Sequence, residues 1–98
     1  LLAEPIDAAT AAGWGLIWRA VDDAALLVEA ATLAARLAAG PTRGLGLTKR
    51  AIQAAAGNSL DAQLDLERDL QREAGRTADY AEGVIAFLEK RQPEFSGK

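Results

Sequence analysis

The stretch Glu82-Gly83-Val84-Ile85-Ala86-Phe87-Leu88-Glu89-Lys90-Arg91-Gln92-Pro93-Glu94-Phe95-Ser96-Gly97-Lys98 decides how the rest of the chain is read. Val84, Phe87 and Leu88 recur at i, i+3 and i+4, the spacing of an amphipathic helix, and Glu89, Lys90 and Arg91 take its wet side. Pro93 lacks a backbone donor and pushes Gln92 out of the helical region, so the helix is expected to end near Arg91. Lys90 and Arg91 then fall in the last turn, the sign that suits the negative end of the helix dipole. A surface cap explains such a turn. A cation beside an exposed aromatic is also what a phosphate and an adenine ring need.

The run Glu-Gly-x-x-Ala-Phe-x-Glu-Lys-Arg-x-Pro-x-Phe, closing on Ser96-Gly97-Lys98, resembles the carboxyl terminus of the enoyl-CoA hydratase/isomerase (crotonase) superfamily. Three further stretches extend the likeness over nearly the whole chain: Ala12 to Ile17, Pro41 to Ile52 around Leu47-Thr48-Lys49-Arg50, and Leu60 to Arg76. Within the superfamily, Gly-Trp-Gly-Leu-Ile-Trp, Leu-Asp-Leu-Glu-Arg-Asp and Gln-Arg-x-Ala-Gly-Arg are most similar to the branch that isomerises ring-1,2-epoxyphenylacetyl-CoA in phenylacetate breakdown. The resemblance implies that residues 1–98 are the C-terminal helical domain of a longer enzyme. The catalytic spiral core is then expected upstream of Leu1.

Ninety-eight residues suffice for one modest core. A formal charge of −3 and no long Lys/Arg run argue against nucleic acid as a partner. With no cysteine and no histidine, disulfides, thiol nucleophiles, the usual zinc sites and Ser-His-Asp triads are excluded. No metal site is expected. The apolar runs are alanine-rich and interrupted by Glu29, Thr32 and Arg36, so no segment reads as membrane-spanning. Glu4 and Asp7 stand where a signal peptide needs cations, and the composition suits a cytoplasmic protein. Opening on Leu1-Leu2 rather than Met is expected of a truncated or processed product.

In chain order, Leu1 to Ala3 read as a helix end, and Asp7 caps a short helix from Ala8 to Ala12. Gly13 and Gly15 give the backbone a sharp exit. Leu16 to Val21 is the one strand-like run, equally readable as an extended connector, and Trp14 and Trp18 read as packing residues. Asp22 or Asp23 caps a helix Ala24 to Ala39, whose Asp22, Glu29, Thr32 and Arg36 share one face against a broad apolar one. Pro41 opens a helix Thr42 to Ala56. Its Gly44 and Gly46, each costing about 1 kcal/mol against alanine, read as a tight helix crossing. Gly-Leu-Gly-Leu-Thr-Lys lacks the order of a phosphate loop. Lys49 and Arg50 read as solvated or ion-paired, with phosphate contact as the alternative.

Asn58 or Ser59 caps a helix Leu60 to Ala74, with Leu60, Leu64, Leu66 and Leu70 on its dry side. Asp65 with Arg68, and Asp69 with Arg72, are placed to pair at i, i+3. Asp61, Asp65, Asp69 and Glu73 form a ladder interleaved with arginines, which reads as solvated and not as acid/base machinery. Gly75 and Thr77 separate this helix from the last one.

The fold expected is therefore all-α, the helical oligomerisation region of a crotonase-like enzyme, with one short extended segment near 16–21. The resemblance implies an acyl-CoA thioester as substrate, no resident cofactor, and a trimer or hexamer for the intact enzyme. It implies an oxyanion arrangement and acidic catalytic residues in the core, so none is assigned within this chain and the 98 residues alone are expected to be inactive. Two positions match the family's coenzyme A contacts: Phe87 for the adenine and Lys90 for the phosphate. Plain enoyl-CoA hydration is the runner-up reaction, and a free-standing helical interaction protein the reading from a different class. Helices stripped of a scaffold expose apolar surface, so self-association is expected of the chain alone.

Overall fold

Three of the helices begin where a side-chain oxygen takes up a free backbone N–H. The Thr10 N–H donates to Asp7 Oδ1 at 2.8 Å, the Ala62 N–H to Ser59 Oγ at 3.3 Å, and the Tyr80 N–H to Thr77 Oγ1 at 3.1 Å. The Thr10 N–H also holds the Asp7 carboxyl below its ordinary pKa. In the computed structural model, which describes residues 3–98, these caps open α1 (Ala8–Gly13), α4 (Leu60–Ala74) and α5 (Ala78–Glu89). Helices α2 (Asp23–Ala38) and α3 (Thr42–Ala55) complete the set, with Pro41 in the cap position of α3. Among the described residues there is no strand. The extended segment expected near 16–21 is a bend at 16–18 followed by irregular backbone, because no second segment offers it a ladder. The helix end expected at Leu1 to Ala3 lies outside the described residues, except for Ala3, which is non-helical with φ 52°.

By its internal contacts the chain divides into Leu1–Thr32 and Leu33–Lys98. In the first unit, α1 ends in a Schellman motif. The Leu16 N–H reaches the Ala11 carbonyl at 2.9 Å and the Gly15 N–H the Ala12 carbonyl at 3.0 Å, with Gly15 left-handed at φ 75°. Trp14 and Trp18, read from sequence as packing residues, are instead exposed at 71 and 73 %. The short unit offers too little surface to bury an indole. The Arg19 guanidinium sits 4.8 Å from the Trp18 ring centroid and pairs with Glu29.

In the second unit α3 packs on α4. Leu47 and Leu70 are the buried leucines, each contributing about 1.5–3 kcal/mol by leaving water. Around them Arg43 pairs with Glu73 at 3.2 Å, Arg50 approaches Glu73 at 3.8 Å, and Gln63 Nε2 donates to the Ala51 carbonyl at 3.1 Å. Arg50 is thus ion-paired, and Asp65–Arg68 and Asp69–Arg72 pair as their spacing predicts. The tight crossing expected of Gly44 and Gly46 is not found. A Cβ on Gly46 would meet nothing within 4 Å, and one on Gly44 only Pro41 at 3.9 Å.

Apolar burial is sparse throughout. Ala11, Leu47, Leu70 and Ala86 are the buried apolar side chains described, whereas Leu27, Val28, Leu60, Phe87, Leu88 and many others are exposed. α2 has no buried residue at all. The broad apolar faces legible in the sequence are real, and nothing among the described residues covers them.

Candidate functional site

The last helix is held by two carboxylates that reach the tail. Glu82 Oε1 accepts from Arg91 Nη1 at 2.6 Å and from the Glu94 N–H at 2.8 Å, while Oε2 accepts from Arg91 Nη2 at 2.9 Å. The bidentate guanidinium first, and the Glu94 N–H second, hold the Glu82 carboxyl down at about 2. One turn earlier, Asp79 is 3 % exposed. It accepts from the Ser96 N–H at 2.6 Å, the Gly97 N–H at 2.9 Å and Ser96 Oγ at 3.2 Å. The Asp79 N–H donates in return to the Lys98 carbonyl at 3.2 Å. Residues 92–98 therefore fold back along α5, bringing Phe95 Cε1 to 3.7 Å from where a Cβ on Gly83 would stand. Gly97 is required: its φ is +76°, and a Cβ there would meet Thr42 Oγ1 at 2.6 Å.

The expected helix end near Arg91 shifts. α5 stops at Glu89, and Lys90 takes a left-handed conformation at φ 56°, ψ 37°. The Arg91 N–H reaches the Ala86 carbonyl at 3.0 Å and the Lys90 N–H the Phe87 carbonyl at 3.3 Å, the same Schellman pattern that ends α1. At α1 the left-handed residue is glycine; here it is a lysine, which costs about 1–2 kcal/mol more. Lys90 and Arg91 are thus not a cationic last turn. Arg91 is drawn back onto Glu82 and Glu89, and Lys90 is set out alone at the helix end.

The stripe Val84, Phe87 and Leu88 does not face a core. Phe87 is 82 % exposed, and the buried line of α5 runs instead through Asp79, half-buried Gly83 and Ala86, the last 1 % exposed. The apolar residues line an open groove of about 490 Å³ with Tyr80 and Phe95, floored by Pro41, Gly44 and Ala74. Phe87 and Lys90 share one end of α5; the groove takes in Phe87, and Lys90 stands outside it.

The carboxylate ladder of α4 is ion-paired at Asp65, Asp69 and Glu73. Asp65 and Asp69 are exposed and bonded to arginine, and Glu73 pairs with Arg43 and Arg50. Among the described residues no His/Cys/Asp/Glu group is arranged to hold a metal ion, and no single helix is long and apolar enough to cross a membrane. Sequence reasoning missed Asp79 and Glu82. The available signal was register: Asp79 lies seven residues before Ala86, so a carboxylate sits in line with the buried stripe and needs a partner.

A family model described as enoyl-CoA hydratase/isomerase matches residues 1–98. The chain is 58 % identical, over its whole length and 37 % of the relative's, to the 1,2-epoxyphenylacetyl-CoA isomerase of Escherichia coli K12. It is 49 % identical over its whole length, and 38 % of the relative's, to a protein of Rhodobacter capsulatus named "Probable enoyl-CoA hydratase". An enoyl-CoA hydratase structure from Geobacillus kaustophilus superposes with a TM-score of 0.91 at 33 % identity, covering 97 % of this chain and 36 % of that one. The chain thus spans little more than a third of these relatives' length, and it belongs to the enoyl-CoA hydratase/isomerase family.

Proposed function

We propose that these residues are the C-terminal helical part of an acyl-CoA-processing enzyme, supplying part of the coenzyme A nucleotide site through Phe87 and Lys90. One observation carries the reading. A phenylalanine that the chain leaves 82 % exposed lines an open apolar groove, and three residues on a lysine is held out at a left-handed helix end. An exposed ring offers a stacking face to a purine, and an ammonium offers a point charge to a phosphate. Neither group does chemistry. Proton transfer and stabilisation of the thioester oxygen belong to residues outside this chain, which is inactive alone, and the coenzyme A thioester is substrate rather than resident cofactor.

The favoured reaction is isomerisation of ring-1,2-epoxyphenylacetyl-CoA or a related enoyl-CoA, supported by the 58 % identity to the E. coli isomerase. Enoyl-CoA hydration is the second reading, supported by the 49 % identity to the R. capsulatus protein. The exposed apolar side chains of α2 and α5 suit subunit contacts in a homo-oligomer, a trimer or hexamer, acting in the cytoplasm. Lys90→Ala in the full-length enzyme tests the nucleotide role. Acyl-CoA affinity is expected to fall roughly tenfold with kcat at saturation nearly unchanged. A large loss of kcat at unaltered affinity would refute it.

A further inference from the structure

A cleft of about 610 Å³ in the second unit lies at the opposite end of α5 from Phe87 and Lys90, and it is cationic in a chain of net charge −3. Arg43 of α3, Arg72 of α4, Arg76 of the α4–α5 turn and Lys98 of the tail line it, against the two carboxylates Asp69 and Glu73. Both carboxylates are already engaged, Asp69 by Arg68 and Arg72, Glu73 by Arg43 and Arg50. Among the described residues, Arg76 and Lys98 have no ion-pair partner. Lys98 is there because Asp79 clasps the tail and takes up the Lys98 carbonyl on its own N–H. Four cations from four segments thus converge on one opening, and two of them have no anion.

We propose that this cleft binds a phosphate or diphosphate group, at a site separate from the Phe87–Lys90 contact. Arginine forks on two or more sides suit the tetrahedral, multiply charged oxygens of phosphate better than a single carboxylate. The thirteen helical steps from Thr77 to Lys90 place the two ends of α5 roughly 20 Å apart, so one phosphate cannot serve both.

The test is calorimetric titration of inorganic pyrophosphate into the full-length protein at low ionic strength, repeated with added salt. Saturable binding tighter than about 1 mM is expected, weakened by salt. The double variant Arg76→Ala/Lys98→Ala is expected to weaken it at least roughly tenfold, since both side chains are exposed and the fold, checked by circular dichroism, is unaffected. Arg36→Ala, an exposed arginine outside the cleft, is expected to leave pyrophosphate affinity unchanged. Absence of saturable binding, equal affinity in the folded double variant, or loss of binding in Arg36→Ala would each overturn the proposal. Each of these outcomes leaves the nucleotide role of Lys90, read by acyl-CoA affinity, standing.

Discussion

Replacing Asp79 with alanine tests the anchoring of the tail most directly. The carboxylate accepts two backbone donors, at 2.6 and 2.9 Å, and the weaker Ser96 hydroxyl at 3.2 Å. Bonds to a charged acceptor contribute about 1.5–3 kcal/mol each, so the two backbone bonds amount to about 3–6 kcal/mol. Ordering Ser96, Gly97 and Lys98 opposes them by about 1–2 kcal/mol per residue. The Ser96 hydroxyl bond adds about 0.5–1.5 kcal/mol, so a net of about 1 kcal/mol remains, which corresponds to roughly fivefold protection against exchange. In Asp79→Ala the tail leaves its seat and its N–H groups go to water, so the loss stays local. Amide hydrogen exchange is expected to accelerate by about that factor at Ser96 and Gly97, while Leu47 and Leu70 amides in the α3–α4 core keep their rates. Unchanged protection at Ser96 and Gly97 would show that the bonds do not hold the tail. Equal loosening of Leu47 and Leu70 would show that Asp79 supports the whole unit instead.

Two further outcomes follow from the same helix. Because the Glu82 carboxyl is held at about 2 against 4.5 when free, its contribution is fully present above about pH 4.5 and lost as pH falls towards 2; protection of the Glu94 amide, taken relative to its intrinsic exchange rate at each pH, should fall down that range in wild type, whereas in Glu82→Gln it should already be low near neutrality. Lys90→Gly relieves the left-handed cost and should raise the unfolding free energy by about 1 kcal/mol in urea while weakening acyl-CoA binding like Lys90→Ala; lowered stability would mean that Lys90 makes contacts beyond its backbone.

Helix existence was legible because caps and breakers are local. Asp7, Ser59, Thr77, Pro41 and the Gly75 turn mark their boundaries within a residue or two. Which face of each helix is covered was not legible, because that depends on surfaces outside the sequence. Trp14, Trp18, Leu60 and the Val84–Phe87–Leu88 stripe have the periodicity of core residues and are exposed. α5 ends two residues before the expected Arg91 for an energetic reason. Pro93 signals a stop, but where the stop falls is fixed by Arg91 turning back to Glu82, a nine-residue contact invisible to periodicity. Phe87 and Lys90 were picked out by their resemblance to a family motif. The structure adds that one is bare and the other left-handed.

The tail is gripped by its main chain. The N–H groups of Glu94, Ser96 and Gly97 end on side chains of α5, so the seat recognises peptide bonds rather than the residues that carry them. The side chain at 94 is consequently interchangeable as far as the seat is concerned, that at 96 adds only the longer hydroxyl bond to Asp79, and the sequence is constrained where the acceptors sit, at Asp79 and Glu82, and where a Cβ has no room, at Gly97. A segment that looks like loose trailing polar residues thus owes its course to two acids more than ten residues upstream.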